Sequence, residues 1–217
     1  MADLGNLAKR NVNLFQITKY HFKYTLIPHL LLAVFLLLIT PLIFGVAHLD
    51  SAGSGIPLEL FVSLTGIVLL TPIMAPEQKD GTNDLLSSKY ISIFIVWSVR
   101  LAWAIAILFI LIGLFTFGMY TKACQVSFMH VLGCFISALF LGGLGCLALS
   151  VTENIAAAYM VPLLVYGINM AGGKRLGSLY LFSLTLGEWG SKTFMLIAAL
   201  IFCGAAFLVQ KRRRASV

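Results

Sequence analysis

Six long, almost uncharged apolar runs constrain this chain more than any other feature of its sequence. They cover residues 26–47, 57–75, 101–120, 127–149, 155–171 and 193–209. An α-helix needs about 20 apolar residues to cross a bilayer, and inside lipid its backbone hydrogen bonds must be satisfied internally. The runs therefore predict an all-α integral membrane protein, a single six-transmembrane-helix bundle over residues 26–209, whose fifth span is the shortest.

The composition argues against a soluble domain and against a nucleic-acid-binding protein. Hydrophobic residues make up 60% of the chain and charged residues only 11%, whereas soluble domains carry about 25% charged residues. The net charge of +7 falls in short runs between the apolar segments, as in membrane proteins, and not on one basic face. We therefore expect membrane lipid and no nucleic acid around this chain.

The segments outside the spans have their own patterns. In the leader, residues 1–25, apolar side chains recur at helical spacing and basic side chains occupy another face. This pattern predicts a cytoplasmic amphipathic helix lying at the membrane surface; a plain solvated leader is the alternative. Residues 210–217 form a basic cytoplasmic tail.

Lysine and arginine are distributed unequally between alternate loops. The leader, the loop after the second run and the tail are basic, whereas the first loop, residues 49–56, contains neither residue. The opposite side holds only Lys122, Lys174, Arg175 and Lys192. By the positive-inside rule, the chain is a multi-pass protein of the cell membrane with both termini in the cytoplasm.

Arg100 decides where the third span begins. A span starting at Leu101 leaves Arg100 at the cytoplasmic interface, makes residues 89–98 a surface-lying connector, and places Trp97 and Trp103 at the boundary as interfacial aromatic residues. The alternative is a functional arginine inside the membrane.

Three further patterns predict local structure. Small residues such as Gly142, Gly143 and Gly145 favour close helix packing by the fourth span, within the chain or across a dimer. Ser150 and Glu153 match a capping box that would start the fifth helix. The semi-apolar loop 172–191 predicts a re-entrant or surface helix on the outer face.

No residue pattern for covalent chemistry is present. His130 and Cys134 share a helix face, but two ligands make a weak metal signal, and nothing pairs His130 with Ser137. The sequence lacks a phosphate-binding G-x-x-x-x-G-K-[ST] loop and an H-E-x-x-H motif. We expect no catalytic, cofactor or metal site, and hence no enzyme activity in this chain.

The second loop, residues 76–89, is the only charge-dense stretch inside the predicted bundle. Gly81 supplies a turn, Thr82 or Asn83 is suited to cap a helix, and Asp84 suits its first turn. Leu85 and Leu86 then present apolar side chains, which predicts a short docking helix in the cytoplasm. In the alternative, the two leucines fold back onto their own bundle. The candidate coupling residues are Glu77, Asp80, Gly81, Thr82, Asp84, Leu85 and Leu86.

This arrangement resembles the coupling-helix region of ABC-2 type transporter permeases. Glu77, the Gly81–Thr82 pair and the two leucines occur in the family's order after a second span, with Arg100 opening the third. The resemblance extends to the six spans and the amphipathic leader. The chain departs from it at residues 88–90, where members often have a proline.

The resemblance implies the membrane-spanning permease of an ATP-driven exporter. Its partners would be a separate cytoplasmic ABC ATPase and a second copy of the chain or a related permease. The cargo would be amphipathic or apolar, such as a peptide, an antibiotic or a lipid-like molecule. A six-span secondary transporter and a structural membrane subunit are the alternatives. The runs contain almost no deep charge, which argues against ion coupling.

Overall fold

A computed structural model describes residues 26–78, 93–173, 175, 177, 180–184 and 189–215. Within these ranges the secondary structure is helical and no strand occurs. The amphipathic leader and most of the charged second loop lie outside the described residues, so the helices expected there stay predictions.

Six helices are long and apolar enough to cross a membrane, as expected for a multi-pass membrane protein. The candidate spans are Ile27–Phe44, Ser51–Ile73, Ile95–Thr121, Phe128–Thr152, Ile155–Gly172 and Gly190–Arg213. The helices that carry the third and sixth spans are slightly longer, Ile93–Thr121 and Gly190–Ala215. The predicted number and order of spans are therefore confirmed.

The second span begins earlier than expected and is built from four helical pieces. These pieces are the α-helix Ser51–Leu60, the 3-10 helix Val62–Leu64, the α-helix Thr65–Leu70 and the 3-10 helix Thr71–Gln78. The Asp50 carboxylate accepts a hydrogen bond from the Gly53 amide at 2.9 Å and so caps the first piece. Most of the expected first loop, residues 49–56, is consequently helical.

The third helix runs through Arg100 without interruption, so the described part of the expected connector, residues 93–98, is the start of this helix. The Arg100 guanidinium donates to the Ile73 carbonyl at 3.4 Å, which gives the charge an acceptor inside the helix packing. Trp97 is also buried, with its ring centroid 6.0 Å from that of Phe207. The expectation of an interfacial Trp97 is therefore wrong, whereas Trp103 is half-exposed.

The turn between the fourth and fifth spans does not contain the expected capping box. Ser150 lies within the fourth helix and donates its hydroxyl to the Cys146 carbonyl at 2.9 Å. Glu153 adopts a left-handed conformation with φ 55°. Asn154 caps the fifth helix by accepting from the Ala156 amide at 2.9 Å. A serine in an apolar helix satisfies its hydroxyl with the carbonyl one turn back, which removes it from capping.

The second and fourth spans form the centre of the bundle. In their most apolar windows 78% and 67% of residues are buried, against 11–22% in the other four spans. Small residues bring these two spans together, since a Cβ on Gly66 would lie 2.0 Å from the Ala138 carbonyl oxygen. Likewise, a Cβ on Gly145 would lie 2.1 Å from the Thr71 hydroxyl. The predicted close packing thus occurs within the chain.

Residues 180–184 fold into the bundle as a buried turn. Leu181, Phe182, Ser183 and Leu184 are all buried, and the Leu184 side chain packs directly over the bare backbone of Gly133. The expected re-entrant or surface helix is therefore not found in this described part of the 172–191 loop. The turn nevertheless enters the interior and touches the centre of the bundle.

Candidate functional site

A buried ion pair joins the second span to the sixth. The Glu59 carboxylate lies 2.6 Å from the Lys192 ammonium nitrogen, and both side chains have 0% of their surface exposed. Glu59 is in the helix Ser51–Leu60, and Lys192 lies near the start of the helix Gly190–Ala215. Ionisable groups enclosed among membrane spans are costly, and by default they indicate a functional site.

The Lys192 ammonium has three oxygen acceptors. Besides the Glu59 carboxylate, it donates to the Ser137 hydroxyl at 2.6 Å and to the Leu181 carbonyl at 2.5 Å. An ammonium carries three N–H donors and no acceptor. All three donors are therefore used, and the geometry is that of a protonated, positively charged lysine.

The buried turn completes the surroundings of the carboxylate. The Leu184 amide donates to the Glu59 carboxylate at 2.9 Å, and the Leu181 amide donates to the Asn169 side-chain oxygen at 3.0 Å. Asn169 lies in the fifth span, so the site draws on the second, fourth, fifth and sixth spans together with the turn.

Tyr180, at the start of this turn, lies outside the spans and near the acid. Burial, and then the negative charge of Glu59, raise the pKa of the Tyr180 phenol. The phenol consequently remains neutral at physiological pH and adds no second charge to the site.

The contact between Ser137 and Lys192 joins the fourth span to the sixth. The Lys192 nitrogen lies 2.6 Å from the Ser137 hydroxyl and 2.6 Å from the Glu59 carboxylate. Because Glu59 belongs to the second span, the Lys192 side chain holds three spans together.

His130 and Cys134 serve the packing of the second and fourth spans. One His130 ring nitrogen contacts the Ser127 amide at 3.2 Å and the other lies 3.0 Å from the Ser51 carbonyl. The Cys134 thiol donates to the Leu58 carbonyl at 3.1 Å. No group of three metal-binding side chains occurs among the described residues.

The expected coupling residues fall almost entirely outside the described part of the chain. Asp80, Gly81, Thr82, Asp84, Leu85 and Leu86 lie in the segment 79–92, and of Glu77 only the backbone, in the 3-10 helix Thr71–Gln78, is described. On either side of the segment, the second and third spans are in contact, because the Arg100 guanidinium donates to the Ile73 carbonyl.

Sequence reasoning missed both members of the buried pair. Glu59 is the only acid in the run 57–75, and an isolated acid in an apolar run was the available signal. Lys192 stands at the edge of the last run, where the sequence places it among the outer-side charges. The packing of the spans nevertheless encloses it with Glu59.

Comparison with protein-family models, with curated proteins and with solved structures gave no match for this chain.

Proposed function

We propose that this chain is the membrane-spanning permease subunit of an ATP-driven ABC exporter, coupled to a separate ATPase chain. The proposal rests on the order of Glu77, Gly81, Thr82, Leu85 and Leu86 after the second of six spans. The expected cargo is an amphipathic or apolar molecule, and the chain would pair with a second copy or a related permease.

The position of the second span carries the proposal. This span leads directly into the charged segment 79–92, and it is the most buried of the six. It contacts the fourth span at Gly66 and the sixth through Glu59. A force applied to the segment would therefore reach the centre of the bundle along the successive helical pieces of the second span.

In the proposed cycle, the ATPases close on ATP and displace the docked segment. The displacement would favour either the inward-facing or the outward-facing arrangement of the spans, because the ATPases bind the two with different affinity. Leu85 and Leu86 would provide the apolar anchors, each contributing about 1.5–3 kcal/mol if fully buried. The nearby acids would orient the partner more than they add affinity.

Replacement of the two leucines tests the proposal. Leu85→Asp and Leu86→Asp should leave the chain inserted while abolishing its co-purification with an ATPase that carries a phosphate-binding loop, and the ATP hydrolysis of the complex. Gln125→Asp, at an exposed position at the other end of the bundle, is the matched control and should assemble normally. Normal assembly and transport by both leucine variants would remove the main support for the proposal.

A second candidate, an ion-coupled secondary transporter, is favoured by the Glu59–Lys192 pair. Buried ionisable groups are typical of such transporters. Reconstitution in sealed vesicles separates the two candidates. The exporter requires the ATPase and ATP, whereas the secondary transporter moves cargo with a proton or sodium gradient alone. It loses this activity in the double variant Glu59→Gln with Lys192→Met, which removes both buried charges together.

A further inference from the structure

An apolar groove runs between the first and third spans. Its volume is about 390 Å³, and its walls include Leu38 and Pro41 on the first span and Leu114 and Gly118 on the third. Leu38 and Leu114 are 68% and 63% exposed, so the groove opens sideways toward lipid.

The groove ends at a cation. Lys122 lines the groove one residue beyond the end of the third helix, and its carbonyl accepts from the His48 amide at 3.1 Å, which joins the ends of the two spans. In the part of the chain that the structure describes, no ion pair links Lys122 to a carboxylate. Lys122, whose side chain is exposed, therefore stands at the membrane-boundary end of the apolar groove.

The length of the groove matches the hydrocarbon thickness of one lipid leaflet. The stretch of the third helix that lines the groove, from Leu111 to Lys122, is roughly 16 Å long at about 1.5 Å per residue. Half of a hydrocarbon core about 30 Å thick is roughly 15 Å.

We propose that this groove binds one acyl chain of an anionic phospholipid whose phosphate lies against Lys122. The apolar walls take the chain, the length matches the leaflet reached by the C-terminal ends of the two spans, and the charge of Lys122 complements the headgroup. The inference is independent of the exporter proposal, because it uses only the first and third spans.

Gly118 offers a way to fill the groove without disturbing the fold. A Cβ added at Gly118 meets no atom within 4 Å, and the same holds for Gly113 on the same helix, which does not line the groove. Gly118→Phe therefore occupies the site, and Gly113→Phe is the matched control for added bulk and altered helix propensity.

The test is native mass spectrometry of the full-length protein in mild detergent, titrated with phosphatidylglycerol and with phosphatidylcholine of identical acyl chains. We expect wild-type and Gly113→Phe protein to retain phosphatidylglycerol preferentially, and Gly118→Phe to retain at least fivefold less. Lys122→Gln should keep lipid but lose the preference between the two headgroups.

Two results would overturn the proposal. Equal lipid retention by Gly118→Phe and Gly113→Phe would mean that the lipid covers the surface without a defined site. Conversion of a dimer into a monomer by Gly118→Phe, with unchanged lipid retention, would assign the groove to a second copy of the chain. The same spectra report lipid number and oligomeric state together.

Discussion

At the scale of single residues, two ion pairs in this bundle differ in what surrounds them. Glu59 and Lys192 are fully enclosed, whereas the Arg213 and Glu153 side chains are 42% and 56% exposed. Water screens and solvates the second pair in both its paired and unpaired states. In the first, loss of either partner leaves a charge that nothing in the interior compensates.

Removal of one partner of the enclosed pair should therefore be strongly destabilising. We expect Lys192→Met to lower the stability of the purified protein by about 3–5 kcal/mol, because Glu59 stays buried without its cation. Adding Glu59→Gln should restore much of the loss, since glutamine still accepts from the Leu184 amide. Thermal unfolding followed with a thiol-reactive fluorophore measures this, because Cys134 and Cys146 are buried in the folded state. A wild-type midpoint for Lys192→Met would refute the expectation.

The exposed pair provides the contrast. Arg213 donates to the Glu153 carboxylate and to the Val151 carbonyl, the latter at 2.6 Å. Exposed pairs contribute about 0–1 kcal/mol, so Arg213→Gln should shift the midpoint only slightly in the same assay. A loss as large as that of Lys192→Met would show that the pair lies in a far less polar environment than its exposure indicates.

The enclosed pair also marks the limit of sequence reasoning at this scale. That Glu59 is unusual follows from its apolar neighbours, but its partner does not, because Lys192 reaches it only once the sixth span has packed on the fourth. Ser137 could not be assigned to Lys192 for the same reason. Local spacing specifies helix faces, and it leaves contacts between distant spans undetermined.

At the scale of helices, close backbone contact at glycine residues holds the second and fourth spans together. A Cβ on Gly142 would lie 2.6 Å from the Gly66 carbonyl oxygen, and one on Gly66 would overlap the Ala138 carbonyl. In lipid, where apolar surface gains nothing by leaving the solvent, close backbone approach is a main source of helix association. The glycines that face neighbouring spans are thus structural.

Gly66→Ala should force the second and fourth spans apart. We expect a loss of about 1–3 kcal/mol, the usual cost of overpacking a closed interface. Gly113→Ala, where a Cβ meets no atom within 4 Å, should be neutral or slightly stabilising because alanine favours the helix. The thiol-reactivity assay compares the two directly. Equal midpoints for both variants would argue against a tight contact at Gly66.

The helices themselves were largely predictable, and their ends were less so. Long apolar runs become spans because lipid leaves the backbone no other partner than its own helix. The position of a helix end depends on which polar side chain caps it. Here Asn154 caps the fifth helix, whereas the Ser150 hydroxyl bonds to a carbonyl within the fourth. Helix ends also depend on acceptors far away in the sequence. The Ile73 carbonyl of the second span accepts from Arg100, so the third helix can include Arg100 instead of beginning after it.

At the scale of the whole molecule, the bundle is a two-helix core with four peripheral spans. Lys211, Arg212 and Arg213 are exposed at the end of the bundle where the chain leaves the sixth span. The positive-inside rule counts Lys and Arg residues and not net charge, so the pairing of Lys192 with Glu59 leaves the prediction of cytoplasmic termini unchanged.

Accessibility labelling tests this orientation. On a cysteine-free background in intact cells, Gln125→Cys should react with a membrane-impermeant maleimide, and Arg212→Cys should react only after permeabilisation. Both native side chains are exposed and lie at opposite ends of the bundle, so the two variants control for each other. The reverse pattern would place both termini outside.

The enclosed ion pair also has a consequence for membrane insertion, because its two members are synthesised far apart in time. Glu59 enters the bilayer with the second span, whereas Lys192 arrives with the last, on the order of ten seconds later at roughly 5–20 residues per second of synthesis. Until then the carboxylate lacks its native cation, and a chain truncated before Gly190 never acquires it. Pulse-labelled truncations should be degraded faster than the full chain, and Glu59→Gln should lengthen their lifetime. The last span thus completes the packing of the others by neutralising Glu59.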